Sequence, residues 1–457
     1  MLLNLLHKNN LMAELKKGSK KLVNAWAFYD WANSVYPLVV TSAVFPLFYG
    51  AITVIKDADG NKISDTVEFL GQSMNNDSLI GYVTAFSFLI ISIMSPILSG
   101  ISDYVGNKVS FLKFFCYLGG LSCIGLFWFS LDNLLLGVLC YMLALIGFWG
   151  SLVFYNSYLP DIAYPEQQDK VSARGFSMGY VGSVFLLLLN LFMILNYEVF
   201  GFESEALPTR ISFVLVGIWW MSFAQYTFKH LPKGTHDPRK VTKEVMMNGF
   251  NELNSIWVAL GDNLTLKRFL RAFFVYSMAV QTIMLAATYF AVEELQWGNQ
   301  DPTTGLIVSI LLIQLVAMVG ALATARLSER FGNIPVLMSI LSMWTLICVY
   351  AYFVETPNQF YFTAACVGLV MGGIQSLSRS TYSKLLPLNT EDSASYFSFY
   401  DVAEKIGIVL GMSMYGYVAD VTGSMRGSIL FFIAFFLVGL FLLNKVRLKK
   451  LSDEAII

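Results

Sequence analysis

Twelve stretches of the chain, roughly 26–55, 79–101, 111–131, 134–158, 175–198, 210–228, 269–292, 305–327, 334–354, 360–384, 396–419 and 428–446, are long and mostly apolar. About 20 such residues are what an α-helix needs to cross the hydrocarbon of a bilayer. Lipid offers no water to a backbone amide, so each stretch must satisfy its own hydrogen bonds as a helix. Composition agrees: 56% of the 457 residues are hydrophobic and 13% charged. The expectation is an all-α polytopic membrane protein with twelve transmembrane helices, here spans one to twelve. Lys and Arg total 30 against 31 acids, a balance that suggests no nucleic-acid partner.

Where the basic residues fall predicts orientation. One set of connections holds Lys16, Lys17, Lys20, Lys21, Lys108, Lys113, Lys170, Arg174, Arg326, Arg330 and the basic 229–271 segment; the other holds only Lys56, Lys62, Arg210 and Arg426. Both termini are therefore expected on the cytoplasmic side. The boundaries expected are an amino-terminal tail (1–24), a six-helix half (25–228), a cytoplasmic central loop (229–268), a second half (269–446) and a tail (447–457). Nothing at the start reads as a removable signal peptide, and Met12 is an alternative start. The five cysteines lie inside apolar runs and the three histidines outside them, so neither a disulfide nor a metal site is expected, nor any cofactor.

The two halves echo each other. Ser102-Asp-Tyr-Val-Gly-Asn107 after span two returns as Ser328-Glu-Arg-Phe-Gly-Asn333 after span eight, and Ser172-Ala-Arg-Gly-Phe-Ser177 as Ser393-Ala-Ser-Tyr-Phe-Ser398. Leu159-Pro160 and Leu386-Pro387 close spans four and ten. Three separate places at nearly one offset report a duplication. Two parallel six-helix repeats are the architecture of the major facilitator fold.

The turn after span two resembles that superfamily's loop signature in Asp103, Gly106 and Lys108, but departs from it in Ser99 and Tyr104. The resemblance implies a gating latch there, with Glu329 and Arg330 as the echo in the second half; an ordinary tight turn is the alternative. Tyr29-Asp-Trp-Ala-Asn-Ser34, Tyr155-Asn-Ser-Tyr-Leu-Pro-Asp161, Gly372-Gly-Ile-Gln-Ser-Leu-Ser-Arg-Ser380 and the run from Phe397 to Gly411 with Lys405 resemble the vacuolar-effluxer-like branch of the superfamily. That resemblance covers nearly the whole chain. It implies secondary transport of a small-molecule substrate, with amino-acid efflux the best-attested activity, and Lys405 matches a Lys that the branch also has in span eleven.

Charged and polar groups inside a membrane are costly and usually functional. Asp30, Asn33 and Ser34 lie near the start of span one, where Asp30 reads either as a first-turn acid or as an ion or proton site. Asp401, Glu404 and Lys405 crowd span eleven. Asp401 and Lys405 are one turn apart and can neutralise each other, which leaves a structural ion pair and a substrate or proton site both open. Tyr155 and Asn156 in span four, Gln281 in span seven, and Gln375 and Arg379 in span ten are further cavity or gate candidates, although Arg379 lies near a helix end from which it can snorkel.

Asp57, Asp59, Asn61, Asp65 and Glu68 imitate the acid spacing of a calcium loop, but Lys62 stands where the loop needs Gly. No Gly-Lys dipeptide occurs, which excludes a phosphate-binding loop for ATP. With no intramembrane histidine, an enzyme is not expected. A transporter-fold receptor or scaffold is a remote alternative, and a peptide, sugar, drug or lipid-like solute is the nearer one. The lipid bilayer is the surrounding partner and protons are the candidate coupling ion. Compact loops favour a bacterial cytoplasmic membrane.

Overall fold

The computed structural model describes residues 16–56, 62–233, 243–387, 390 and 392–446. Met12, Asp57 and Asp59 of the calcium-like loop and the 447–457 tail lie outside them. Among the described residues eleven helices are long and apolar enough to span a membrane, beginning with Lys20–Thr53 and Asn76–Val105 and ending with Met425–Leu443. The twelfth, span eleven, is the 30-residue helix Ser393–Thr422, and it carries Asp401, Glu404 and Lys405. Its length suits a membrane; its charges lower its hydropathy. They are tolerated because Asp401 and Lys405 face protein instead of lipid, with 4% and 0% of their surface exposed.

Each half packs in the same pattern. Span one lies on spans five and six, span two on span four, and span three on spans four and six; span seven lies on eleven and twelve, eight on ten, and nine on ten and twelve. Between the halves, span five packs on span eight and span two on span eleven, again as mates. Two large apolar cores result, one centred on Trp26, Phe115, Tyr155 and Trp220, the other on Phe273, Trp344, Tyr382 and Phe436. The chain is thus a twelve-helix bundle of two repeats in the major facilitator fold.

Three features lie beyond the apolar pattern. Span one opens as an α-helix at Lys20 and passes through a π-helical stretch, Tyr36–Val44, before Phe45–Thr53. Pro37 and Pro46 each lack an amide donor, and the Phe45 amide reaches back five residues to the Val40 carbonyl. Two short antiparallel hairpins, Ile55–Lys56 with Lys62–Ser64 and Thr66–Phe69 with Gln72–Asn75, fill the connection from span one to span two. In the connection between the halves, a helix Lys243–Asp262 packs on spans two, seven and eleven.

Candidate functional site

Because span one begins at Lys20, Asp30 is ten residues in, about 15 Å along the axis, deeper than the sequence pattern places it. It is buried, and its Oδ2 accepts hydrogen bonds from the Tyr155 hydroxyl at 2.8 Å and Arg379 at 3.3 Å. Trp26, one turn earlier, stacks on the Tyr155 ring at 4.4 Å and donates to the Tyr155 carbonyl at 2.8 Å. Tyr155 is thereby held on both its ring and its hydroxyl.

Arg379 does not snorkel: its side chain is 4% exposed. It sits about two turns from the end of span ten, where the whole Ser376–Ser383 segment is buried. Its Nε donates to Ser172 Oγ at 2.9 Å, and its terminal nitrogens donate to Asn156 Oδ1 at 3.1 Å, the Ser172 carbonyl at 3.0 Å and Asp30. The guanidinium lies over Phe176 at 4.2 Å, Trp26 at 4.8 Å and Tyr155 at 5.4 Å. Every one of these partners belongs to the first half. A cation of the second half is therefore planted in the first, desolvated and satisfied by its fork of donors.

Gly175 makes this possible. A Cβ there would lie 2.4 Å from Asp30 Oδ2 and 3.1 Å from both Arg379 and the Tyr155 hydroxyl. Span five can approach the ion pair only without a side chain. One turn on, Gly179 abuts Ser34 in the same way, and Asn33 is buried beside Ser34, 3.4 Å from its hydroxyl. Tyr180 then donates to Gln375 Oε1 at 2.9 Å, one more link between halves.

The second cluster lies deeper. Lys405 is twelve residues into span eleven, about 18 Å, and bonds Asp401 Oδ1 with Glu404 Oε2 at 3.7 Å. Its ammonium sits 4.0 Å above the Trp149 ring of span four, a cation–π contact across the halves. Gln281 donates to Glu404 Oε1 at 2.7 Å. Asp401 Oδ2, though buried, has no hydrogen-bond partner among the described residues. Thr282, next to Gln281, donates back to its own helix at Met278 and packs against Gly411.

The two turns knit the halves together at one end. Asp103 accepts from the backbone amides of Ala394 and Ser395 at 3.3 and 2.7 Å, at the positive amino terminus of span eleven. Gly106, at φ +66°, turns the chain so that Lys108 pairs with Asp161 at 2.9 Å and donates to Ser393 Oγ. The mirror contact inverts the roles. Asp169 at the start of span five accepts from Ser328 at 3.0 Å, Asn333 at 2.9 Å and Lys384 at 2.6 Å. Glu329 makes a more exposed pair with Lys170 at 2.7 Å, and Arg330 lies over Phe331 at 5.3 Å without joining the network. The hydrogen bonds and ion pairs named here between the halves lie on this face or in the membrane beneath it.

Sequence reasoning thus named Asp30, Tyr155, Asn156, Gln375, Arg379, Asp401, Glu404, Lys405 and Gln281, and the fold brings them into two clusters. It missed Trp26, Trp149, Ser172, Phe176, Gly175 and Asp169. The small residues Gly175 and Gly179 at four-residue spacing were the signal available for the close approach of span five.

Residues 18–456 match the family model described as "Vacuole effluxer Atg22 like". The chain belongs to this family. It is 32% identical over 442 residues to a Bacillus subtilis (strain 168) protein described as an MFS-type transporter, YxiO, covering 96% of this chain and 98% of that one. It is 24% identical to Autophagy-related protein 22 of Saccharomyces cerevisiae, over 96% and 94% of the two chains. Among solved structures, the major facilitator transporter FucP in the outward conformation superposes with a TM-score of 0.66 at 14% identity, covering 94% of this chain and 99% of that one. The human organic anion transporter MFSD10 gives 0.65 at 12% identity, over 93% and 98%. This Atg22-like chain is a multi-pass membrane transporter of the major facilitator superfamily.

Proposed function

We propose that this Atg22-like transporter exports amino acids by alternating access, with a proton as coupling ion. The observation that carries the reading is the span-eleven cluster. There a fully buried ammonium, Lys405, stands beside two carboxylates, one of which, among the described residues, keeps an unpartnered oxygen at Asp401 Oδ2. A zwitterion has both charges, so its amino group suits Asp401 and Glu404 and its carboxylate suits Lys405 once Lys405 leaves its acid. Trp149 then positions the ammonium from the opposite half, and Gln281 holds Glu404. The description of the matching family model as a vacuole effluxer supports the direction.

The Asp30–Arg379 pair acts as the gate. It links the halves, so the turn face cannot open while it holds. A proton and Arg379 compete for the same Asp30 oxygen, which gives a coupling ion a way to favour one state over the other. With the turn face cytoplasmic, the conformer described is closed to the cell interior, and Asp103, Lys108 and Asp169 reinforce that closure. A bacterial cytoplasmic membrane fits the compact connections.

The test is thermal stabilisation of the purified protein by each of the twenty amino acids, dipeptides and sugars, with Lys405→Ala in parallel. A ligand at a hundred-fold excess over its Kd stabilises by about 2.7 kcal/mol. An amino-acid shift lost in Lys405→Ala supports the reading, whereas stabilisation only by another solute class ends it. Amino-acid flux in proteoliposomes that ignores a collapsed pH gradient removes the proton.

A further inference from the structure

At the turn face, the start of span seven (Leu264–Val292) and the end of span twelve (Met425–Leu443) frame a cleft of about 270 Å³ lined by Arg268, Arg271, Leu442 and Lys445. The cleft shares no lining residue with the clusters described above, and all its polar side chains are cations. Arg268 is tied to the other helix by a hydrogen bond to the Lys445 carbonyl at 3.3 Å. Lys445 arches over the Phe441 ring at 4.1 Å. Among the described residues none of the three cations has a carboxylate partner, although the same face pairs Lys108, Lys170 and Lys384 with acids.

We propose that this cleft binds a phosphate anion, supplied by the headgroup of an anionic phospholipid in the adjoining leaflet. Two guanidiniums and an ammonium converge on one concave site, and a guanidinium fork matches two phosphate oxygens. Arg268 and Arg271 lie in the first two turns of a membrane helix, and Lys445 stands just past the end of another, which is headgroup depth. Phe441, 61% exposed, continues the site along the lipid-facing side, where an acyl chain would lie. A soluble phosphate would use the cations and leave that apolar wall empty; a lipid uses both. The bound headgroup bridges spans seven and twelve, both of the second half, and so braces that half as a rigid body.

The experiment compares full-length protein in nanodiscs of phosphatidylglycerol and of phosphatidylcholine with matched chains, alongside inorganic phosphate in detergent, by melting temperature and by lipid retained in native mass spectrometry. Phosphatidylglycerol should be retained in preference. Each cation near an anionic surface contributes roughly fivefold, so the triple variant Arg268→Gln, Arg271→Gln, Lys445→Gln should weaken retention by about a hundredfold. Among the described residues Arg271 makes no hydrogen bond that holds the helices, so Arg271→Gln alone serves if the triple variant fails to fold, with an expected loss of about fivefold. Equal retention of the two lipids, or unchanged retention in the variants, overturns the site. Protection by inorganic phosphate equal to that of the lipid overturns the lipid source and assigns the cleft to a soluble phosphate.

Discussion

Gly175→Ala strikes the seam between the halves without removing any charge. The new methyl would begin 2.4 Å from Asp30 Oδ2, and Cβ contacts under 3.0 Å are essentially never seen. The carboxylate must therefore yield by at least 0.6 Å. It is not free to swing, because Tyr155 at 2.8 Å and Arg379 at 3.3 Å hold the same oxygen. A retreat of that size directed away from the guanidinium would take the Arg379 contact from 3.3 Å to about 3.9 Å, past hydrogen-bond range. Overpacking of this kind costs about 1–3 kcal/mol; Gly175 and Asp30 both belong to the first half, and it is in the closed state, with Arg379 of the second half holding the carboxylate, that the carboxylate is kept from turning aside. The equilibrium should shift roughly 5- to 150-fold toward the state open at the turn face. Spin labels on the exposed positions Glu166 of span five and Arg330 of span eight, on opposite halves, report that opening as a longer-distance population. An unchanged distance distribution, together with an unchanged melting temperature, would refute the view that this close approach holds the gate.

Other substitutions separate the clusters. Asp30→Asn leaves Arg379 buried without its counter-charge and should cost about 3–5 kcal/mol, most of it recovered in Asp30→Asn with Arg379→Gln; a double-mutant cycle in melting free energy measures this. Trp149→Leu removes the face under Lys405 together with ring contacts to Phe88 and Phe148; it should lower the melting temperature of the unliganded protein and also weaken the stabilising effect of substrate by about 1–2 kcal/mol in the thermal-shift assay. At the opposite face, burial of Glu294 is outweighed by hydrogen bonds from Ser424, Arg426 and the Met425 amide and by the Arg426 charge, which together hold its carboxyl below the usual range. A lowered folded-state value means that its contribution is present above the unfolded pKa and is lost as pH falls through the folded one. Acid titration of wild type should thus show a loss of stability below about pH 4 that is absent in Glu294→Gln. Asp301→Ala removes the cap whose carboxylate accepts from Thr303 and Thr304 at the start of span eight, and should cost about 1 kcal/mol by melting.

The spans were legible because in lipid, length and hydropathy suffice: a long apolar run has no other stable fold. Span eleven shows both the strength and the edge of that logic. Its ionised residues lower its hydropathy, yet an Asp–Lys spacing of four already said that the pair could neutralise itself. The turn echo made the repeat visible, since Ser102 and Asn107 return as Ser328 and Asn333. Their partners were not visible. The echo pointed to Glu329 and Arg330, whereas the buried contacts of that turn run to Asp169, because the second turn supplies donors where the first supplies an acid.

What the sequence by itself determined, then, is the number of helices, their duplication, the family and which polar residues had to be hidden from lipid. What only the tertiary structure decided is which of those residues meet. Asp30 and Arg379 are 349 positions apart, and each could have turned to a different partner or to solvent. Their meeting depends on the rotation of spans one and ten and on Gly175, which lets span five come close enough to close the cage. Helix periodicity specifies a face within one segment; the pairing of faces across two halves is set by packing, which no local pattern encodes.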